Sequence, residues 1–112
     1  MERLWRALCN SISGLRAAFR EEMAFRQEVV LGLVLAPIAY GVAANALELA
    51  LLWGSLLLVM VVELLNSAVE AAVDRISKEI HPLAKKAKDT ASAAVLLALI
   101  NAVVIWGAIL LD

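Results

Sequence analysis

The chain has 112 residues, of which 63% are apolar and 19% charged, with a formal net charge of −1 and a mean hydropathy of +0.86. This length allows one domain, and a soluble domain of this size would need more polar surface than such a composition supplies. The bilayer is the natural setting for so many apolar side chains, and the single Cys9 excludes an internal disulfide.

Residues 1–26 read as an amphipathic helix. Leu4, Leu8, Ile12, Leu15, Phe19 and Met23 recur at steps of three or four, while Arg3, Arg6, Asn10, Ser13 and Arg20 follow the same spacing on another face. A helix with basic residues and a Trp suits the headgroup layer, and packing on the protein's own surface is the alternative. Arg3 and Arg6 precede no clean apolar core, and charge returns at Arg16 and Arg20, so the segment does not read as a secretory signal.

Val29 to Leu47 carries no charge and is long enough to cross the hydrocarbon, with Pro37 as a candidate kink. The next uncharged run, Leu49 to Val62, is too short to cross alone. A span of about 20 residues from Leu49 reaches Ala68, so it must include Glu63 and Asn66. A polar connection, Ser77 to Leu83, follows; Pro82 suits the first turn of a new helix, and His81 reads as a loop residue. The third span is Ala91 to Leu111. No linker, low-complexity run or internal repeat divides the chain.

All ten Lys and Arg lie either before the first span (Arg3, Arg6, Arg16, Arg20, Arg26) or between the second and third (Arg75, Lys78, Lys85, Lys86, Lys88). These segments are therefore expected on the cytoplasmic side, with the Asn45–Glu48 turn and Asp112 outside. Trp53 and Trp106 then fall toward the outer ends of their spans, as belt residues would.

Glu63, Asn66, Glu70 and Asp74 form one acidic stripe on a helix. A carboxylate at membrane depth is costly and is usually retained for function, whereas Asp74 also suits a solvated helix end. Two carboxylates with an amide provide the oxygen ligands that Mg²⁺ favours beside substrate phosphates, and a carboxylate in apolar surroundings is a stronger base than one in water. Lys85, Lys88, Asp89 and Ser92 share a second face. Lysines at a cytoplasmic membrane edge suit phosphate, although for Lys78, Lys85 and Lys86 topology alone is a sufficient explanation. There is no GxxxxGK[ST], GxGxxG, HRD or DFG, so a nucleotide site would be of an unusual kind.

The run Glu63-Leu64-Leu65-Asn66-Ser67-Ala68-Val69-Glu70-Ala71-Ala72-Val73-Asp74-Arg75 resembles the signature of the prokaryotic diacylglycerol kinase family. The resemblance extends to Gly14-Leu15-Arg16-Ala17-Ala18, to Ala24-Phe25-Arg26-Gln27-Glu28, and to Ala87-Lys88-Asp89 followed by Ser92-Ala93-Ala94-Val95-Leu96-Leu97, with the spacing intact. It implies an all-α membrane protein with three transmembrane helices and an N-terminal amphipathic surface helix, assembled as a homotrimer with composite active sites. The implied location is the bacterial inner membrane, with the N-terminus cytoplasmic and the C-terminus periplasmic.

The implied activity is transfer of the γ-phosphoryl of MgATP to diacylglycerol, giving phosphatidic acid at the cytoplasmic face. By this resemblance Glu63 is the general base and Asn66 orients groups in the site. Glu22 and Glu70 bind the Mg²⁺ that accompanies ATP. Arg3, Asn10, Glu79, His81, Lys88 and Asp89 match positions at the nucleotide, and Asn10 stands where the family often has a Tyr. Arg16, Phe25, Arg26, Gln27, Glu28 and Ser92 match positions near the lipid. The alternatives are an undecaprenol kinase and, from another class, a small ion-channel or transporter subunit. Phe25-Arg26-Gln27-Glu28 and Val73-Asp74-Arg75 look more like the diacylglycerol branch, and an ion site at Glu63 would not need Lys88-Asp89 or Glu22.

Overall fold

The computed structural model describes residues 1–76 and 79–112; Ser77 and Lys78, at the start of the expected polar connection, lie outside the described residues. The described residues form four α-helices in the order α1 (Glu2–Glu21), α2 (Met23–Val42), α3 (Ala46–Ile76) and α4 (Pro82–Leu110). Three of them, α2, α3 and α4, are long and apolar enough to cross a membrane. The fold is therefore the expected one, three spanning helices preceded by an amphipathic helix.

The helix bounds differ from the sequence expectation for local reasons. The apolar periodicity of residues 1–26 runs through Met23, yet α1 stops at Glu21 because Glu22 is extended (φ −108°, ψ 109°), and Met23 already belongs to α2. The uncharged run Val29–Leu47 crosses a break after Val42. There Asn45 Oδ1 accepts the Glu48 N–H at 2.9 Å, and Glu48 Oε1 accepts the Ala44 N–H at 2.9 Å. This reciprocal capping starts α3 three residues before the expected span.

At about 1.5 Å per residue, α2 is about 30 Å long, α3 about 46 Å and α4 about 44 Å. Against a hydrocarbon core of about 30 Å, α3 and α4 each extend well beyond the membrane. The capped turn at Asn45 has no basic residue, so the excess falls at the Ile76 and Pro82 ends.

α3 is the central element, packed most extensively on α4 and also on α2, while α1 packs on α2. The buried positions of α3 are Leu52, Ser55, Val59 and Glu63, at helical steps of three, four and four. Facing helices contribute small buried residues, Ala39 from α2 and Ala98 from α4, which allow close approach. Pro37 lies inside α2, and the carbonyl of the preceding Ala36 accepts the Trp53 indole N–H at 2.9 Å. Trp106 donates its indole N–H to Ser55 Oγ at 3.1 Å, and Ser55 in turn donates to the Leu52 carbonyl at 2.7 Å. Both tryptophans thus spend their N–H groups on neighbouring helices, where a belt residue would turn them to the headgroups.

The apolar stripe of α1, from Leu4 through Phe19, stays exposed. That outcome agrees with a helix whose apolar face lies in the membrane surface.

Candidate active site

Glu63 ends the buried seam of α3 and is only 8% exposed. It lies about 26 Å along α3 from Ala46, just short of the far edge of a 30 Å hydrocarbon layer. The same stripe continues as Asn66, Glu70 and Asp74 beyond that edge. Measured from Ala46, Glu63 thus falls within one hydrocarbon thickness and Glu70 and Asp74 beyond it.

Four carboxylates converge here from two helices and a connection. The Glu28 carboxyl of α2 lies beside that of Glu63. Glu22, at the α1–α2 break, and Glu70, two turns along α3, both lie close enough to act on the charge of Glu63. Asn66 lies beside Glu63, and its Nδ2 donates to Glu70 Oε1 at 3.0 Å. Among the described residues no three His, Cys, Asp or Glu side chains enclose a metal ion by themselves. Glu22 and Glu70 fit a cation that takes one or two carboxylates and completes its shell with substrate phosphate.

A second assembly lies where the ends of α3 and α4 extend beyond the length needed to cross a membrane. A cleft of about 230 Å³ carries Asp74 of α3, Glu79 and His81 of the connection, and Lys85, Lys88 and Asp89 of α4 on its walls, among apolar residues such as Val73 and Ile80. Lys88 Nζ pairs with Asp74 Oδ1 at 2.6 Å, and Lys85 Nζ pairs with Asp89 Oδ2 at 2.6 Å. His81 caps α4, its Nδ1 accepting the Leu83 N–H at 3.1 Å with Pro82 at the first helical position. In the neutral ring Nε2 then carries the proton as a donor. The structure thus gathers Glu79, His81, Lys88 and Asp89, four residues matched to the nucleotide, around one opening.

A third feature was not foreseen. An apolar groove of about 330 Å³ runs along the helices, lined by Leu31 and Leu35 of α2, Leu56 and Val59 of α3, and Val103 and Trp106 of α4, with Glu28 at its polar end. One Glu28 oxygen, Oε1, is buried without a hydrogen-bond partner among the described residues. Trp106 is a groove residue that the sequence signalled only as a belt Trp. Its spacing along α4 carried no sign that it lines a groove shared with α2 and α3.

The remaining residues scatter. Phe25 is buried at the α1–α2 break, 3% exposed, while Gln27 and Ser92 are exposed. Arg26 Nη1 donates to the Phe19 and Arg20 carbonyls. Arg3, Asn10 and Arg16 are exposed on α1, and none of them lines the Lys88 cleft.

The chain matches the family described as prokaryotic diacylglycerol kinase over residues 9–110. It is 50% identical to the diacylglycerol kinase of Pseudomonas aeruginosa over 111 residues, covering 99% of this chain and 90% of that protein. It is 51% identical to the Escherichia coli K12 diacylglycerol kinase over 104 residues, covering 93% and 85%. A Helicobacter pylori diacylglycerol kinase is 51% identical over 110 residues, covering 98% and 86%.

Proposed function

Because the chain belongs to the prokaryotic diacylglycerol kinase family, we propose that it transfers the γ-phosphoryl of MgATP to the free hydroxyl of diacylglycerol at the cytoplasmic face of the inner membrane. The observation that carries this reading is the position of Glu63. It sits at the membrane edge beside Glu28, which closes the polar end of an apolar groove, and on the stripe that leads to the Lys88 cleft.

In this reading the acyl chains lie along Leu31, Leu35, Val59 and Val103, and the hydroxyl meets the Glu28–Glu63 pair. The partnerless Glu28 Oε1 would accept a hydrogen bond from a polar headgroup atom, which removes the cost of an orphaned acceptor. Glu63 takes the hydroxyl proton as the oxygen attacks the γ-phosphorus. The bond from that phosphorus to the bridging oxygen breaks, ADP leaves, and phosphatidic acid remains in the membrane.

Phosphoryl transfer depends on positioning and charge neutralisation more than on covalent help. Lys88 supplies positive charge toward the phosphates, releasing Asp74 when it does so. Asn66 holds Glu63 and Glu70 in register. Glu22 and Glu70 would hold Mg²⁺, which supplies neutralisation of phosphate charge when bound. Arg3, Asn10 and Arg16 lie on α1, away from the cleft of their own chain, which supports a homotrimer whose α1 completes a neighbour's site.

The test is ATP-dependent phosphorylation of a short-chain diacylglycerol by the purified protein in detergent micelles. Labelled phosphatidic acid is expected. Phosphorylation of undecaprenol but not diacylglycerol would move the acceptor to the polyprenol class, and no transfer to either would leave a non-enzymatic protein.

A further inference from the structure

Glu22 is the one residue between α1 and α2, and it belongs to the ends of both. Its N–H donates to the Ala18 carbonyl at 2.8 Å, closing the last turn of α1. Its own carbonyl accepts the Arg26 N–H at 3.1 Å, opening the first turn of α2. The direction in which the Glu22 side chain leaves the backbone is therefore set by the angle between the two helices, and no side-chain cap fixes the start of α2.

One side chain bridges that angle. The last carbonyls of a helix have no partners within it. Arg26 Nη1 reaches back from α2 to two carbonyls at the end of α1, Phe19 at 3.1 Å and Arg20 at 3.0 Å. A guanidinium there also meets the negative end of the α1 dipole. Ala18 and Phe25 are buried at the same elbow, so the joint is packed as well as tied.

We infer that Arg26 is a positioning residue that locks the α1–α2 elbow and thereby holds the Glu22 carboxylate toward Glu63. This rests on the proposed role of Glu22 as a metal ligand. It differs from the lipid contact that the sequence resemblance implies for Arg26, because the resolved Arg26 bonds run to backbone of the chain's own surface helix.

The experiment has two arms on the full-length protein in lipid–detergent micelles. In the first, a spin label on Cys9, the chain's only cysteine and exposed on α1, reports the motion of that helix. R26Q should loosen the label, and R26K, which keeps charge and a donor, should restore most of the order. An unchanged spectrum in R26Q overturns the elbow lock.

In the second, R26Q should raise the Mg²⁺ concentration for half activity by about tenfold, the low end for residues that orient a metal ligand. The KM for diacylglycerol should stay within about twofold. E22Q should show at least the same Mg²⁺ shift, and the double variant no further loss, since both act through one carboxylate. A raised lipid KM in R26Q with unaltered Mg²⁺ dependence overturns the inference in favour of a lipid contact. An unaltered Mg²⁺ dependence in E22Q overturns the metal assignment of Glu22, whatever the label shows.

Discussion

The outer and inner halves of the α3 seam share a helix, a periodicity and neighbours, and differ in what they bury. In the outer half, Leu52, Ser55 and Val59 face the partner helices, and the one polar atom, Ser55 Oγ, is satisfied by Leu52 and Trp106. In the inner half the same stripe carries Glu63, Asn66 and Glu70, with Glu28 and Glu22 gathered around Glu63. Carboxylates crowded together at a membrane edge repel one another and lose hydration, so this half gives up stability that the outer half must supply. Extending one seam from the apolar run into the charged end of α3 lets a single rigid element hold an apolar groove at one end and a cluster of carboxylates at the other.

The largest expected effect tests whether the two halves differ in function as well as composition. Glu63→Gln keeps size and hydrogen bonding and removes the proton acceptor. Turnover should fall by about 10²–10⁴ if Glu63 is the general base. The KM for MgATP should change little, because binding common to ground and transition states is untouched. Folding should survive, since an amide is cheaper than a carboxylate at this depth. Assay of the purified variant with saturating lipid and MgATP decides. Turnover above about a tenth of the parent's, far short of the loss expected for a general base, would mean that Glu63 is a structural residue like Leu52.

This contrast was only half legible in the sequence. The polar half announced itself, because Glu63 falls within any span long enough to cross, and its three- and four-residue spacing to Asn66 and Glu70 survives in the structure. The apolar half did not. Leu52 and Val59 carry the same kind of apolar side chain as Leu51, Leu57 and Leu58, which face outward, because lipid and protein interior select the same side chains. The Glu63–Glu28 contact and the Trp106 groove are tertiary facts with no local signature. Glu22 was readable as a candidate ligand only by resemblance. Its position as the sole non-helical residue between two helices was masked by apolar periodicity that continues through Met23. The four residues of the Lys88 cleft were named by motif, whereas their convergence depends on the overhang of α3 meeting that of α4.

A smaller effect should appear in the outer half with the readouts reversed. Leu52 is fully buried. In water-soluble cores Leu→Ala costs about 2–5 kcal/mol, part of it from hydrophobic transfer. Within a bilayer the transfer part largely vanishes, because lipid is as apolar as leucine, and lost packing remains. Leu52→Ala should therefore destabilise by about 2 kcal/mol, the lower end of that range. The measure is a shift of the unfolding midpoint in sodium dodecyl sulfate titrations. Turnover per folded molecule should remain within about twofold, well inside the factor of ten that 1.4 kcal/mol would bring. A tenfold loss of turnover in fully folded protein would show that the two halves are not separable.

The smallest effect lies where the halves meet the groove. Ser55 Oγ accepts the Trp106 indole N–H at 3.1 Å while donating to the Leu52 carbonyl at 2.7 Å. Ser55→Ala leaves that carbonyl its helical partner but removes the acceptor for the indole. In a soluble core an orphaned donor would cost about 1–3 kcal/mol. Hydrogen bonds between membrane helices average only about 0.6 kcal/mol in double-mutant cycles, because the unfolded chain in the bilayer also finds partners. The membrane value should apply here, so the midpoint shift should be a fraction of that for Leu52→Ala. Trp106 also lines the groove, and its ring orientation is set by this bond. If acyl chains lie there, the KM for diacylglycerol should rise about threefold, the equivalent of 0.6 kcal/mol, with MgATP dependence unchanged. Trp106→Phe should produce a similar rise, and adding Ser55→Ala to it should add nothing, since the bond is already gone. Additive effects of the two substitutions would show that Ser55 and Trp106 act independently and that the bond does not orient the groove.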